Sequence, residues 1–237
     1  MEEILEKIRP HVKSGLVNQS GPAKLLVAVE ATLKEQKQEG TPVAYYASFL
    51  ATLQESVKRE NSSSNGLDLD DGSVVPSTLY LLSLVLPHVP DPVVRSNLSS
   101  LLNTVAPLFP LVSSSAPPLR SAIGIVAAII DALDAPHLTS SSPLPRQCFA
   151  TILELIVDPR PKVRKRAQEA VLRIINSPPP PMLVHPYKKQ TADFVIRVFN
   201  VVAGNPGQQD SAEMGIWLCT FTKAIASSWP STVSGRL

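Results

Sequence analysis

Cysteine is nearly absent from this chain of 237 residues: only Cys148 and Cys219 occur, at no metal or redox spacing. A disulfide framework is excluded as the basis of the fold. Both thiols lie in apolar stretches and are expected to be buried small hydrophobes in a reducing compartment. Glycine is sparse as well, ten residues, and none belongs to a GxxxxGK[ST] or GxGxxG phosphate loop. HExxH and GxSxG are missing too. The four histidines, His11, His88, His137 and His185, stand at no metal-ligand spacing. These absences point away from an enzyme: no catalytic, cofactor-binding or metal-binding residue is expected, and no small-molecule substrate. No apolar run approaches the ~20 residues of a membrane span. The longest, "LYLLSLVL" and "AIGIVAAII", fall far short, and the charged start "MEEILEKIRP" is no signal peptide. The chain reads as soluble and intracellular, with no membrane partner. It also lacks a large net charge: at +2, any attraction to a polyanion must come from local patches.

What is plentiful is apolar surface and proline. Apolar residues make up 44%, ample for a core, and 23 prolines argue at first sight for disorder. Their placement argues otherwise, because proline is tolerated at the first position of a helix. "GTP" makes Gly40 a stop, Thr41 an N-cap and Pro42 a first helical residue. "SGP" before Ala23, "PDP" before Val93 and "SSSAPP" before Leu119 are expected to serve likewise. Each precedes an apolar stripe of helical period: Leu26, Val29, Leu33; Tyr46, Phe49, Leu50, Leu53, Val57; Leu98, Leu101, Leu102, Val105; Ile123, Val126, Ile130, Leu133. Two-residue alternation is nowhere sustained. The expectation is an all-α chain, about nine or ten helices paired as hairpins. Two connectors interrupt it. Residues 61–72, "NSSSNGLDLDDG", read as a flexible acidic loop. Its Asp68, Asp70 and Asp71 fail as a calcium loop, since Ser73 and Leu79 fall where glycine and glutamate are needed. Residues 176–186, rich in proline, read as a stiff extended connector.

The stretch "DPRPKVRKRAQEAVLRII" gathers six Lys and Arg. With Asp158 as cap and Pro159 and Pro161 in the first turn, Val163, Ala167, Ala170, Val171 and Ile174 share one helix face. Lys162, Lys165, Arg166 and Arg173 fall opposite, with Glu169 among them, and Arg164 sits on a flank. Sliding back 44 residues sets Val163-Arg164 on Leu119-Arg120, Ala167 on Ile123, Val171 on Ala127 and Ile174 on Ile130. "DPVVRSNLSSLL" at Asp91 repeats the Asp-Pro, Val-Arg theme. A lag of ~40–47 residues with paired helices is the HEAT or armadillo signature, a solenoid of stacked antiparallel helix pairs. Asp158, Val163, Arg164, Ala167 and Val171 are then the structural repeat signature, with Arg164 bridging to a neighbouring repeat. Two readings of the outer arc stand. It is a solvated face with pairs such as Lys165–Glu169, or a contact for phosphate or an acidic partner, continued by Lys188 and Lys189. Trp217 and Trp229 are expected to anchor packing rather than stack bases.

Two segments carry more than a generic repeat. "KLLVAVEATLKEQKQEGTPVAYYASFLATLQ", residues 24–54, and "DPRPKVRKRAQEAVLRIINSPPPPMLVHP", residues 158–186, resemble the N-terminal part of the ribosomal RNA-processing protein twelve family. Members of that family are long HEAT-repeat factors of the nucleolus and nucleus. The resemblance implies one HEAT-like α-solenoid fragment across residues 1–237. It further implies a non-catalytic scaffold role in rRNA processing and nuclear export of ribosomal subunits, with shuttling to the cytoplasm. Precursor-ribosome particles, RNA and assembly factors are the implied partners, with nuclear transport proteins beside them. The competing expectation is a transport-receptor-like or regulatory-subunit-like HEAT solenoid that binds only proteins.

Overall fold

The computed structural model describes residues 1–61, 70, 72–140, 142–204 and 209–225. Among them are thirteen α-helices, three 3-10 turns and no strand. The all-α helical-repeat class expected from the apolar stripes is what the chain adopts. The helix count exceeds nine or ten because proline breaks several segments into helices of five to eight residues. Two compact units are present, Met1–Ala132 and Leu133–Leu237.

The first unit holds α1 (Glu2–Ile8), α2 (Val17–Glu35), α3 (Pro42–Asn61), α4 (Val74–Val85), α5 (Asp91–Ser96), α6 (Leu98–Val105), α7 (Leu108–Val112) and α8 (Ala116–Asp131). Its centre is α4, packed on α2, α3 and α8. Val75, Leu79, Leu81, Leu82 and Val85 of α4 are buried, and α8 is buried from Pro118 to Ile130 except at Arg120. The apolar stripes lie inside, except that Leu98 and Val57 are only half-buried. The α3 start matches expectation: the Ala44 N–H donates to Thr41 Oγ1 at 3.2 Å, with Pro42 first in the helix. The α2 start does not. That helix begins at Val17 and keeps Pro22 in its interior. Gly21 makes this possible, since a glycine before proline has no Cβ to meet the proline ring. The same absent Cβ admits the backbone of Gly72: a methyl group on Gly21 would overlap the Gly72 carbonyl. Gly72 itself has φ +87° and lies against Val17, so the end of the acidic loop is packed on α2. Deleting residues 61–72 therefore removes a helix contact as well as a linker. Residues 62–69 and 71, including Asp68 and Asp71, lie outside the described residues, and Asn61 belongs to α3.

A polar cluster that no sequence pattern announced ties the start of the chain to this unit. Arg9 Nε donates to Glu30 at 2.9 Å, its guanidinium also reaches Glu2, and the Tyr45 hydroxyl donates to the same Glu30 oxygen at 3.0 Å. Burial, and secondly that hydrogen bond to Glu30, push the Tyr45 hydroxyl up to about 12.

The second unit holds α9 (Ala135–Thr139), α10 (Leu144–Glu154), α11 (Pro161–Asn176), α12 (Tyr187–Gly204) and α13 (Gln209–Ile225). Helix α10 packs on α11 and α12, and α13 packs on both of these. The aligned repeat positions hold in three dimensions: Leu119, Ile123, Ala127 and Ile130 in α8 and Val163, Ala167, Val171 and Ile174 in α11 are all buried. Each helix therefore presents the same register of side chains to its own unit's core.

Candidate nucleic-acid interface

Helix α11 starts where its prolines dictate. Arg160 is extended before Pro161, as a residue preceding proline must be, and Pro161 opens the helix without a lost hydrogen bond. Asp158 is not the cap of this helix, contrary to expectation. Its carboxylate accepts from the Arg160 backbone N–H at 2.8 Å and from Arg160 Nε and Nη2 at 2.9 and 2.8 Å, two residues before the N-cap. A carboxylate reaching two residues on forms a turn of its own, and proline at 159 and 161 delays the first helical residue. The Arg160 guanidinium, with the backbone N–H beside it, holds the Asp158 carboxyl below the usual carboxylate range.

One face of α11 is sealed. Val163, Ala167, Ala170, Val171, Ile174 and Ile175 are buried, and Gln168 Nε2 donates to the Ile156 carbonyl at 3.0 Å. Arg164 makes two contacts away from the apolar face. Its Nη1 donates to the Asp158 carbonyl at 2.7 Å, and its guanidinium lies 3.8 Å over the Trp217 ring of α13. Trp217 is thus the packing partner its apolar surroundings imply, while Trp229 lies outside the described residues.

The other face is charged. Lys162, Lys165 and Arg173 are exposed, and Lys189 is exposed at the start of α12. Arg166 and Lys188 are half-buried. Lys165 reaches Glu169 at 3.9 Å, the spacing expected of a helix-surface pair. The fold keeps Lys162, Lys165, Arg166 and Arg173 on one helix and Lys188 and Lys189 on the next.

The link between these helices departs from an extended connector. Asn176 is still helical, and the Met182 N–H donates to the Pro179 carbonyl at 2.9 Å, closing a turn among the prolines. Leu183 projects at 93% exposure, whereas His185, two residues later, is buried. The Tyr187 N–H donates to His185 Nδ1 at 3.2 Å, and the Tyr187 ring stacks on Phe149 with centroids 4.7 Å apart. Burial, and secondly the Lys188 ammonium, push the His185 imidazole down to about 4. No sequence pattern marks His185 as the buried end of this link, and the apolar Leu183 and Val184 just before it are exposed. Cys148 is buried, its thiol pushed up to about 11 by desolvation, but Cys219 is exposed because it falls on the outer side of α13. Among the described residues no three metal-ligating side chains gather, and no helix is long and apolar enough to cross a membrane.

Helices that each bury one apolar stripe against their neighbours, with an Asp-Pro then Val-Arg opening that recurs, define a HEAT-type helical-repeat protein. Residues 24–212 match the family model described as RRP12-like, N-terminal HEAT repeats, and the chain belongs to that family. It is 34% identical over 201 residues to Ribosomal RNA-processing protein 12 of Saccharomyces cerevisiae, covering 82% of this chain and 16% of that protein. It is 25% identical over 98% of its length to a putative ribosomal RNA-processing protein 12 of Schizosaccharomyces pombe, covering 19% of it. An RRP12-like protein of Homo sapiens is 26% identical over 64% of this chain and 11% of its own. The chain thus spans less than a fifth of the length of the relatives in Saccharomyces cerevisiae and Schizosaccharomyces pombe. No solved structure matches it.

Proposed function

We propose that this chain is a non-catalytic scaffold in ribosome biogenesis, supporting rRNA processing, and that the basic face of α11 and the start of α12 contacts precursor rRNA. The names of its relatives support the process. The observation that carries the contact is the polarity of α11: its apolar residues are buried, while Lys162, Lys165 and Arg173 are exposed on the opposite face. Lysine and arginine lined along one helix meet phosphates without reading bases, so the affinity is electrostatic and tolerant of sequence. Assembly factors bind the same scaffold, which works in the nucleolus and nucleus and accompanies subunits toward export. The test is the variant in which Lys162, Lys165, Arg166 and Arg173 become Gln. It is expected to fold like the parent by circular dichroism, to bind RNA more weakly, and to lose precursor particles on gradients. Parental RNA binding and cosedimentation would reject the contact.

A second reading, contact with proteins alone, is favoured by a groove of about 280 Å³ between α10 and α12. Leu153 and Phe194 line it together with Arg146, Asp193 and the Glu154–Arg197 pair, bridged at 2.7 Å. A lining that mixes apolar side chains with charges of both signs suits a protein segment better than a phosphate backbone. Crosslinks to protein from this groove, with none to RNA from α11, would select it.

A further inference from the structure

Three hydroxyl residues precede proline on exposed positions: Thr41-Pro42, Ser142-Pro143 and Ser177-Pro178. They differ in the backbone beyond the proline. Pro42 is the first residue of α3, and Thr41 Oγ1 is already an acceptor for the Ala44 N–H. Pro143 is the N-cap of α10, so the chain turns helical one residue later. Ser177 closes α11, with φ −120° and ψ 65°, and nine residues outside any helix lead from there to Tyr187, the first residue of α12. A kinase threads its substrate through the cleft in an extended form, so residues after the acceptor must be free of helix. Only Ser177 is followed by chain free of helix, and the last turn of α11 before it, which holds the buried Ile174 and Ile175, must fray for it to enter the cleft. Pro180 and Pro181 are exposed beside it, and Leu183 stands clear of the unit.

We infer that Ser177 is a phosphoacceptor for a proline-directed serine/threonine kinase, and that its phosphate weakens the RNA contact at the Arg173 end of α11. The second half rests on the RNA contact proposed above. In the transfer, Ser177 Oγ forms a bond to the γ-phosphorus of ATP. The bond from that phosphorus to the oxygen bridging the β-phosphate breaks, and ADP leaves. The hydroxyl proton passes to a base of the kinase. The product carries about −1.5 to −2 charges at pH 7. It lies four residues, one helical turn, beyond Arg173, and at the end of α11 where the helix macrodipole is itself negative. The dianion cannot be accommodated by that dipole. Its charge lies within one helical turn of Arg173 and repels RNA phosphate from that end of the helix.

The experiment treats the full chain with ATP and a purified proline-directed kinase, maps phosphate by fragment mass spectrometry, and titrates a single-stranded poly(U) oligonucleotide over a salt series. The expected result is phosphate on Ser177, none there in Ser177→Ala, and RNA binding about tenfold weaker, with the salt slope flattened by one to two phosphate contacts. Treated Ser177→Ala should bind like the untreated parent. Modification confined to Thr41 or Ser142 would overturn the acceptor assignment, and parental affinity in the Ser177-phosphorylated protein would overturn the switch. A chain that binds no poly(U) even at low salt would defeat the RNA contact and the switch with it. The acceptor assignment is judged by mass alone and survives or fails apart from both.

Discussion

His185 shows what one buried side chain contributes. Neutral in the folded chain, with its affinity for protons pushed from the ordinary 6.5 to about 4, it binds a proton more readily once unfolded. Between those two values the unfolded state therefore takes up more protons, and stability falls as pH drops through the window. The loss is on the order of 3 kcal/mol when complete below pH 4. His185→Gln is expected to flatten the pH dependence of the urea midpoint between pH 6.5 and pH 4. A slope equal to the parent's would show that other groups supply it. Ala167 is the complementary case, a small residue at 0% exposure where α11 meets its neighbours. Ala167→Glu forces a carboxylate with no partner into that seam, at a cost of about 3–5 kcal/mol. The thermal midpoint should drop steeply or cooperative melting vanish; an unchanged midpoint would contradict the buried seam.

At the scale of elements, the fit of the acidic loop's end onto α2 turns a favourable substitution into a harmful one. In an open helix interior, Gly→Ala gains up to about 1 kcal/mol from helix propensity. At Gly21 the added methyl meets the main chain of Gly72, which cannot rotate away as a side chain tip would. Overpacking against backbone costs about 1–3 kcal/mol, so the clash wins. Gly21→Ala is expected to lower the urea midpoint, and a rise would mean that α2 and Gly72 do not touch. Helix α2 also shows the limit of reading prolines as starts. Pro22 looks like the first residue of a helix, and the apolar stripe Leu26, Val29, Leu33 that follows agrees with that. Nothing local reveals that Val17–Gly21 continue the helix on the other side.

For the molecule as a whole, charge is a matter of placement. The net value of +2 is too small to hold an RNA by itself. Changing Lys162, Lys165, Arg166 and Arg173 to Gln reverses its sign, and so does changing the exposed Lys13, Lys24, Lys34 and Lys223. If the α11 face makes the contact, only the first variant weakens RNA binding, with a salt slope lower by about 0.7–0.9 for each phosphate lost. Equal weakening by both would mean that diffuse charge is responsible.

The class of fold was legible because apolar period and proline placement are local properties. The stripes at Leu26–Leu33, Tyr46–Leu53 and Ile123–Ile130, and the 44-residue register between α8 and α11, predict burial from helix geometry alone, and those side chains are buried. The division of α11 into an apolar and a basic face comes from the same 100° step. What the sequence left open depends on residues distant along the chain. Arg164 could be assigned to bridging, but that Trp217 receives it is decided by how α13 packs on α11. Nothing next to Glu30 in the sequence shows that Arg9 and Tyr45 close on it. Cys219 sits in as apolar a stretch as Cys148, yet one is exposed and the other buried, since flanking residues do not say which side of a helix will be covered. Local pattern fixes which faces must hide; tertiary packing alone decides what hides them, because the partner surface comes from chain far away in sequence.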